Sequence, residues 1–293
     1  IVLGLVVATI AVLAGTVFAW IITRTDVPHK GLFELVILGP TFLSPFVGTI
    51  AWVTLAAPNS GMINVSARAL LGIEAPLFNV MSLFGLVFVM ALYFVPYGYL
   101  FCSAALKNLD PSLEEASYLN GAGVLRTAVT VTIPLLRPAI LSVFFLVTVL
   151  AAGVFSIPAV LAADLGFQPT AVRVYRAVAL VPSNYGLAAA IGVSLLIVAF
   201  VGIWLYRRSV RASKRFVTIT ARGFRPRIIP LRTMKPVAIG ACVLYGLLSM
   251  VLPYTALTIV SFTPFTITDL SQLSFTTDHF VSVVTSPRTS SAL

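Results

Sequence analysis

Charge is scarce in this sequence. Only 10% of its 293 residues are Asp, Glu, Lys or Arg and 59% are hydrophobic, whereas an average soluble domain carries about 25% charged residues. A chain so poor in charge cannot cover a water-facing surface, which excludes an ordinary soluble globule. Cysteine is nearly absent as well: Cys102 and Cys242 sit inside apolar stretches with no CxxC or Cys/His spacing, so neither a disulfide framework nor a zinc site is expected. The two histidines, His29 and His279, fall in separate loops and read as solvated side chains. No metal ligand set and no cofactor are therefore assigned. A Gly-x-x-x-x-Gly-Lys-Ser/Thr phosphate loop is missing, which excludes an ATPase of that mechanism. Ser/His/Asp constellations are not discernible, and the apolar runs carry neither the buried ionisable groups of an intramembrane enzyme nor the charged rings or filter-like loop of an ion channel. No catalytic residue is expected.

What the chain does have is long apolar runs. Crossing about 30 Å of hydrocarbon at 1.5 Å per residue takes about 20 residues, and six stretches qualify: Ile1 to Ile22, Leu32 to Ala57, Asn79 to Leu106, Pro138 to Ala163, Tyr185 to Tyr206 and Pro236 to Phe262. Prolines punctuate them at Pro40, Pro45, Pro96, Pro158 and Pro253, so kinked, closely packed helices are expected. Basic residues give the orientation. Fifteen of the 19 Lys and Arg fall in alternate loops, at Arg24, Lys30, Lys107, Arg126 and Arg137 and then throughout 207–235, which places 23–31, 107–137 and 207–235 in the cytoplasm. Residues 58–78, 164–184 and 263–293 then lie outside. The net charge of +10 is concentrated in 207–235, which lacks any acidic residue and suits a linker lying against anionic headgroups. Phe216 and Phe224 alone do not make a nucleic-acid site there. Without an initiating Met, and with a polar stretch closing no unit at its far end, the chain reads as a fragment cut at both ends.

The most informative cytoplasmic stretch runs from Asp110 to Pro138 and reads as two short helices joined by glycines. Asp110 is placed to cap the first helix, Pro111 suits its first turn, and Glu114 and Glu115 favour its positive end. Gly121 and Gly123 end that helix, and a second runs from about Val124 until Pro134 stops it. Leu113, Tyr118, Leu119, Val124 and Leu125 offer more apolar surface than a free loop normally exposes, so the hairpin reads either as an interfacial helix pair resting on the membrane or as a docking element.

Its spacing resembles the EAA loop of ABC importer permeases: Glu-Ala-Ala, three residues, Gly-Ala, and nine residues on an Ile/Val-x-Leu-Pro ending. Glu115, Ala116, Ser117, Gly121, Ala122, Val131, Ile133 and Pro134 stand in that register, with Ser117 for the usual second Ala and Ile133 for the usual Leu. The resemblance implies an all-α polytopic helix bundle of the type I ABC importer permease fold, in the bacterial inner membrane. It implies that the loop fits a groove on a cytoplasmic ATPase subunit, with Glu115 making polar contacts and Gly121 allowing the bend. It also implies a paired permease half and an extracytoplasmic solute-binding protein, for which Glu74, Arg173 and Arg176 are candidate contacts.

Within that family, residues 1–206 correspond to the later five helices of one permease core, with the coupling loop at 107–137. Residues 207–235 would be a basic linker, and 236–293 the first helix and external loop of a second half, as in fused ferric-iron-type permeases. Iron transport is the family-level expectation for the substrate. Ser44, Tyr93, Tyr97 and Ser156, polar or aromatic residues on broken helices, are the candidates for lining the solute pathway.

Overall fold

The computed structural model describes residues 1–72, 75–163, 165–213, 228–264 and 275–285. Glu74, the Leu125 side chain, the linker core 214–227, and residues 265–274 and 286–293 of the external segment lie outside this description. The described elements are helices: α1 (Val2–Arg24), α2 (Lys30–Leu38) with a 3-10 turn (Gly39–Phe42), α3 (Pro45–Ala56), α4 (Met62–Leu71), α5 (Leu83–Lys107), α6 (Pro111–Leu119), α7 (Val124–Thr127), α8 (Ile133–Gly153), α9 (Ser156–Leu161), α10 (Thr170–Ala179), α11 (Tyr185–Ser213), α12 (Lys235–Gly246), α13 (Leu252–Ser261) and α14 (Asp278–Thr285). Among the described residues, five continuous helical stretches are long and apolar enough to cross a membrane, and a bent pair passes the same test when its two arms are taken together.

The bent pair corrects the expectation of one span over Leu32 to Ala57. α2 with its 3-10 turn meets α3 at 98°. Leu43 and Ser44 at the corner have ψ values of 132°, which no helix contains, and Pro45 brings no N–H to continue the ladder. A second correction concerns Pro134. It does not stop the hairpin's second helix, and the next span does not start at Pro138. α7 runs into α8 through a wide π turn at Ala128–Thr132, where the Ile133 N–H reaches back five residues to the Ala128 carbonyl. The turn thus shifts the hydrogen-bond ladder just ahead of a proline that could not donate. The same device recurs between α12 and α13: Leu247–Val251 form a π turn, Leu252 donates to the Leu247 carbonyl, and Pro253 follows.

Lipid offers no hydrophobic drive for helices to associate, so close packing of small residues has to hold them. α1 is built for this. Ala8, Ala11 and Ala19 are buried, and Gly15 lies so near α5 that a Cβ there would fall 2.6 Å from the Tyr99 backbone nitrogen and 2.7 Å from Gly98. At the other end a Cβ on Gly4 would meet the Thr148 carbonyl of α8 at 2.9 Å. α1, α5 and α8 therefore form the centre of the bundle, with α11 outside them against α8.

The helix after the linker packs into this bundle. Phe18 of α1 and Tyr245 of α12 have ring centroids 5.1 Å apart, and the Tyr245 hydroxyl donates to the Leu92 carbonyl of α5 at 2.9 Å. That carbonyl is the one Pro96, four residues on, cannot pair. A side chain from α12 thus satisfies the proline break in α5. The loops 23–31, 107–137 and the end of 207–235 converge at one end of the bundle, in keeping with the basic-residue pattern: Lys107 pairs with Glu34 at 3.7 Å, and Ile229 donates to the Arg24 carbonyl at 2.8 Å.

Gly15→Leu should lower the unfolding midpoint of the full-length protein in detergent, since overpacking against fixed backbone costs about 1–3 kcal/mol. Tyr245→Phe should lower it by less, about 1 kcal/mol for a carbonyl left without its partner.

Candidate functional site

The cytoplasmic hairpin forms as its residues dictate. Asp110 accepts a hydrogen bond from the Ser112 N–H at 2.9 Å and Pro111 opens α6. At the other end Gly121 has φ +77°, the Gly121 N–H bonds the Tyr118 carbonyl, and the Ala122 N–H bonds the Ser117 carbonyl at 3.1 Å. This is a Schellman ending, whose left-handed residue is best supplied by glycine. Ser117, the departure from the family's second Ala, shares a 3.0 Å hydrogen bond with Thr127 and so ties α6 to α7 across the bend.

The polarity of α6 is reversed relative to a surface helix. Leu113 is 47% and Leu119 90% exposed, while Glu114 is buried. Glu115 and Ala116 share the outward face with these leucines, Ser117 and Ala122 are half-buried, and Gly121 is exposed with open space around it. Farther along, Ile133 is exposed and Val131 and Pro134 are half-buried. The hairpin accordingly presents an apolar ledge with one carboxylate on its exposed face.

Glu114 stands in the first turn of α6, as the sequence reading has it, but unlike Glu115 it faces inward. Its carboxylate lies 3.6 Å from Arg24 Nε, with the two side chains 3% and 1% exposed. Thr132 donates to Glu114 Oε1 at 2.8 Å, and Arg24 Nη2 reaches the Leu109 carbonyl at 3.5 Å. Arg24 itself was expected among solvated loop cations; it is instead the last residue of α1 and fully buried. A one-residue offset inside a Glu-Glu pair decides which carboxylate faces in. The available signal was the helical spacing of Pro111, Glu114 and Ser117, which share the inner stripe.

Two residues on, Asp26 accepts from the Leu231 N–H at 2.9 Å and from Lys235 Nζ at 3.1 Å. These bonds, the Leu231 N–H first, hold its carboxyl below the usual 3.8. This contact, unmarked in the sequence because 205 residues separate its members, docks the end of the linker and the start of α12 onto the α1–α2 turn.

The pathway candidates are dispersed. Ser44 is exposed at the break before α3, Tyr93 and Tyr97 are half-buried on α5, and Ser156 starts α9, which packs on α3 and α5. Tyr93 reaches α3, its hydroxyl filling the space that a side chain at Gly48 would need. A crevice of about 420 Å³ between α5, α8 and α11, lined by Phe101, Phe145, Gly202 and Arg207 among others, contains none of the four.

Glu114→Ala should destabilise the full-length protein by about 3 kcal/mol or more, the cost of stranding a buried charge, whereas Glu115→Ala should leave its unfolding midpoint nearly unchanged. The Asp26 contribution is present above the carboxyl's unfolded value and is lost as pH falls through the lower folded value. Acidification below about pH 3.8 should therefore cost the wild type more thermal stability than Asp26→Asn.

Residues 1–215 match the family described as binding-protein-dependent transport system inner membrane component. The chain is 28% identical to the ferric transport system permease protein FbpB of Actinobacillus pleuropneumoniae over 222 residues, 75% of this chain and 31% of that protein. It is 31% identical to the inner membrane ABC transporter permease protein YcjO of Escherichia coli strain K12 over 213 residues, 71% of each. The chain spans about a third of the length of the ferric relatives that it matches. A bacterial alginate ABC transporter, solved in complex with alginate pentasaccharide-bound periplasmic protein, shares the fold, with a TM-score of 0.51 at 20% identity over 73% of this chain and 78% of that one. A helical bundle with five continuous membrane-length helices among the described residues, an EAA-spaced hairpin and a family match over residues 1–215 together place this chain in the binding-protein-dependent transport system inner membrane component family, the multi-pass inner-membrane permeases of ABC importers.

Proposed function

We propose that the chain forms part of the solute pathway of an ABC importer and couples it, through the hairpin of α6 and α7, to ATP hydrolysis by a separate cytoplasmic subunit. The observation that carries this reading is the reversed polarity of α6. A helix that buries its acid and exposes Leu113 and Leu119 pays a hydration penalty unless a partner covers it, and an apolar ledge flanked by Glu115 suits a groove with an apolar floor and a basic rim. Closure of two such ATPase subunits would move the hairpin and with it the attached spans.

The rest of the assembly is proposed on the pattern of the family. An extracytoplasmic binding protein delivers the solute to the face bearing α4 and α10, where Arg173 and Arg176 stand. Residues 236–293 open a second permease half joined through the basic linker. Ser44, Tyr93, Tyr97 and Ser156 face the route of the solute, which runs beside the broken pair α2–α3. Ferric iron is the cargo this reading favours, because FbpB-type proteins are among its relatives; the alginate transporter of the same fold means that fold alone does not choose the cargo.

The test uses the full-length permease co-purified with its ATPase. Glu115→Lys and Leu119→Asp alter only the exposed ledge, so membrane insertion and unfolding midpoint should persist while ATPase retention falls at least tenfold. Unchanged retention in the double variant would rule the docking role out. Uptake of ⁵⁵Fe-labelled ferric citrate into vesicles addresses the cargo separately.

A further inference from the structure

We infer that the buried pair of Glu114 and Arg24, steadied by Thr132, is a positioning element that carries movement of the hairpin into α1; the inference rests on the docking role proposed for the hairpin. The chain itself connects the hairpin to α5 through Asn108 to Asp110 and to α8 through α7 and its π turn. The connection to α8 is irregular: a glycine with positive φ and a glycine in open space lie between α6 and α7, and a π turn lies ahead of α8. The connection to α5 is a short hydrogen-bonded turn. α1 has no covalent continuity with the hairpin. Among its side-chain links to it are the Arg24–Glu114 pair at 3.6 Å and the Arg24 bond to the Leu109 carbonyl at 3.5 Å.

Three further observations make that link firm. Both charges are almost wholly buried, so water cannot take the place of either partner while the hairpin moves. Thr132 holds the other carboxylate oxygen at 2.8 Å, which brings the start of α8 into the same cluster. And the two residues after Arg24 extend the junction: Thr25 bridges to Ile229 and Asp26 holds Leu231 and Lys235. A force on the ledge of α6 therefore reaches the end of α1, and through Asp26 the start of α12, without passing through the flexible glycines. Glu115, outward on the same helix, is left for the partner.

The experiment uses the full-length complex with its ATPase, spin-labelled at Val2, the exposed outer end of α1, and at Leu70, on the outer helix α4. The distance between labels is read by pulsed electron resonance with and without ATP and vanadate. Replacing Arg24→Met together with Glu114→Gln removes the link without stranding a charge, and Thr132→Val weakens it with both charges kept. The wild type should change distance on adding nucleotide. The double variant should retain the ATPase yet show less than half that change, with Thr132→Val between the two. A double variant that moves like the wild type overturns the inference, as does a wild type that does not move. A double variant that releases the ATPase overturns it too, since the pair would then build the docking face instead of carrying its motion; should that variant not fold, wild-type movement in Thr132→Val does the same. If even the wild type fails to hold an ATPase, it is the docking role that fails.

Discussion

Inside hydrocarbon a backbone carbonyl has no water to turn to, and each departure from regular helix in this chain is arranged around that constraint. Pro96 would strand the Leu92 carbonyl, and Tyr245 of a helix more than a hundred residues downstream occupies it. Ahead of Pro134 and Pro253 the ladder widens into a π turn before the missing donor arrives. At Leu43 and Ser44 the helix is abandoned and the chain turns through 98°, and at Val154 it breaks again between α8 and α9. The breaks are thus sites where one helix depends on another, and they knit the part before the linker to the part after it.

The same scarcity of polar groups marks the end of the bundle that bears the hairpin. Few charges are available, and three ion pairs stand there among the described residues: Arg24 with Glu114, Lys107 with Glu34, Lys235 with Asp26. Exposed pairs of this kind contribute little, so Lys107–Glu34 serves orientation more than stability. The buried pair behaves differently, because either partner alone would be intolerable where it sits.

Much of this was legible in the residues. Apolar runs located the spans to within a few residues where no break intervened, as for α1 and α5; alternate basic loops marked the shared side; and the Asp110 cap, the Gly121 ending and the Glu115 register defined the hairpin. What stayed hidden depended on partners distant along the chain. Pro134 reads locally as a stop, and only the π turn reverses that. Glu114 and Glu115 look equivalent until α1 packs beside one of them. The pathway candidates were chosen as polar or aromatic residues on broken helices, and that local signal carried no trace of the contact between the Tyr93 hydroxyl and Gly48 of α3.

The Arg24–Glu114 contact also orders events in time. Ninety residues separate its members, so at about 5–20 residues per second of synthesis the arginine waits roughly 5–20 s for its carboxylate. During that interval it is an unpaired cation at the end of α1, held by hydration. It is withdrawn from water only when the hairpin arrives to claim it, so one side chain is a solvated charge in the young chain and a buried joint in the finished one.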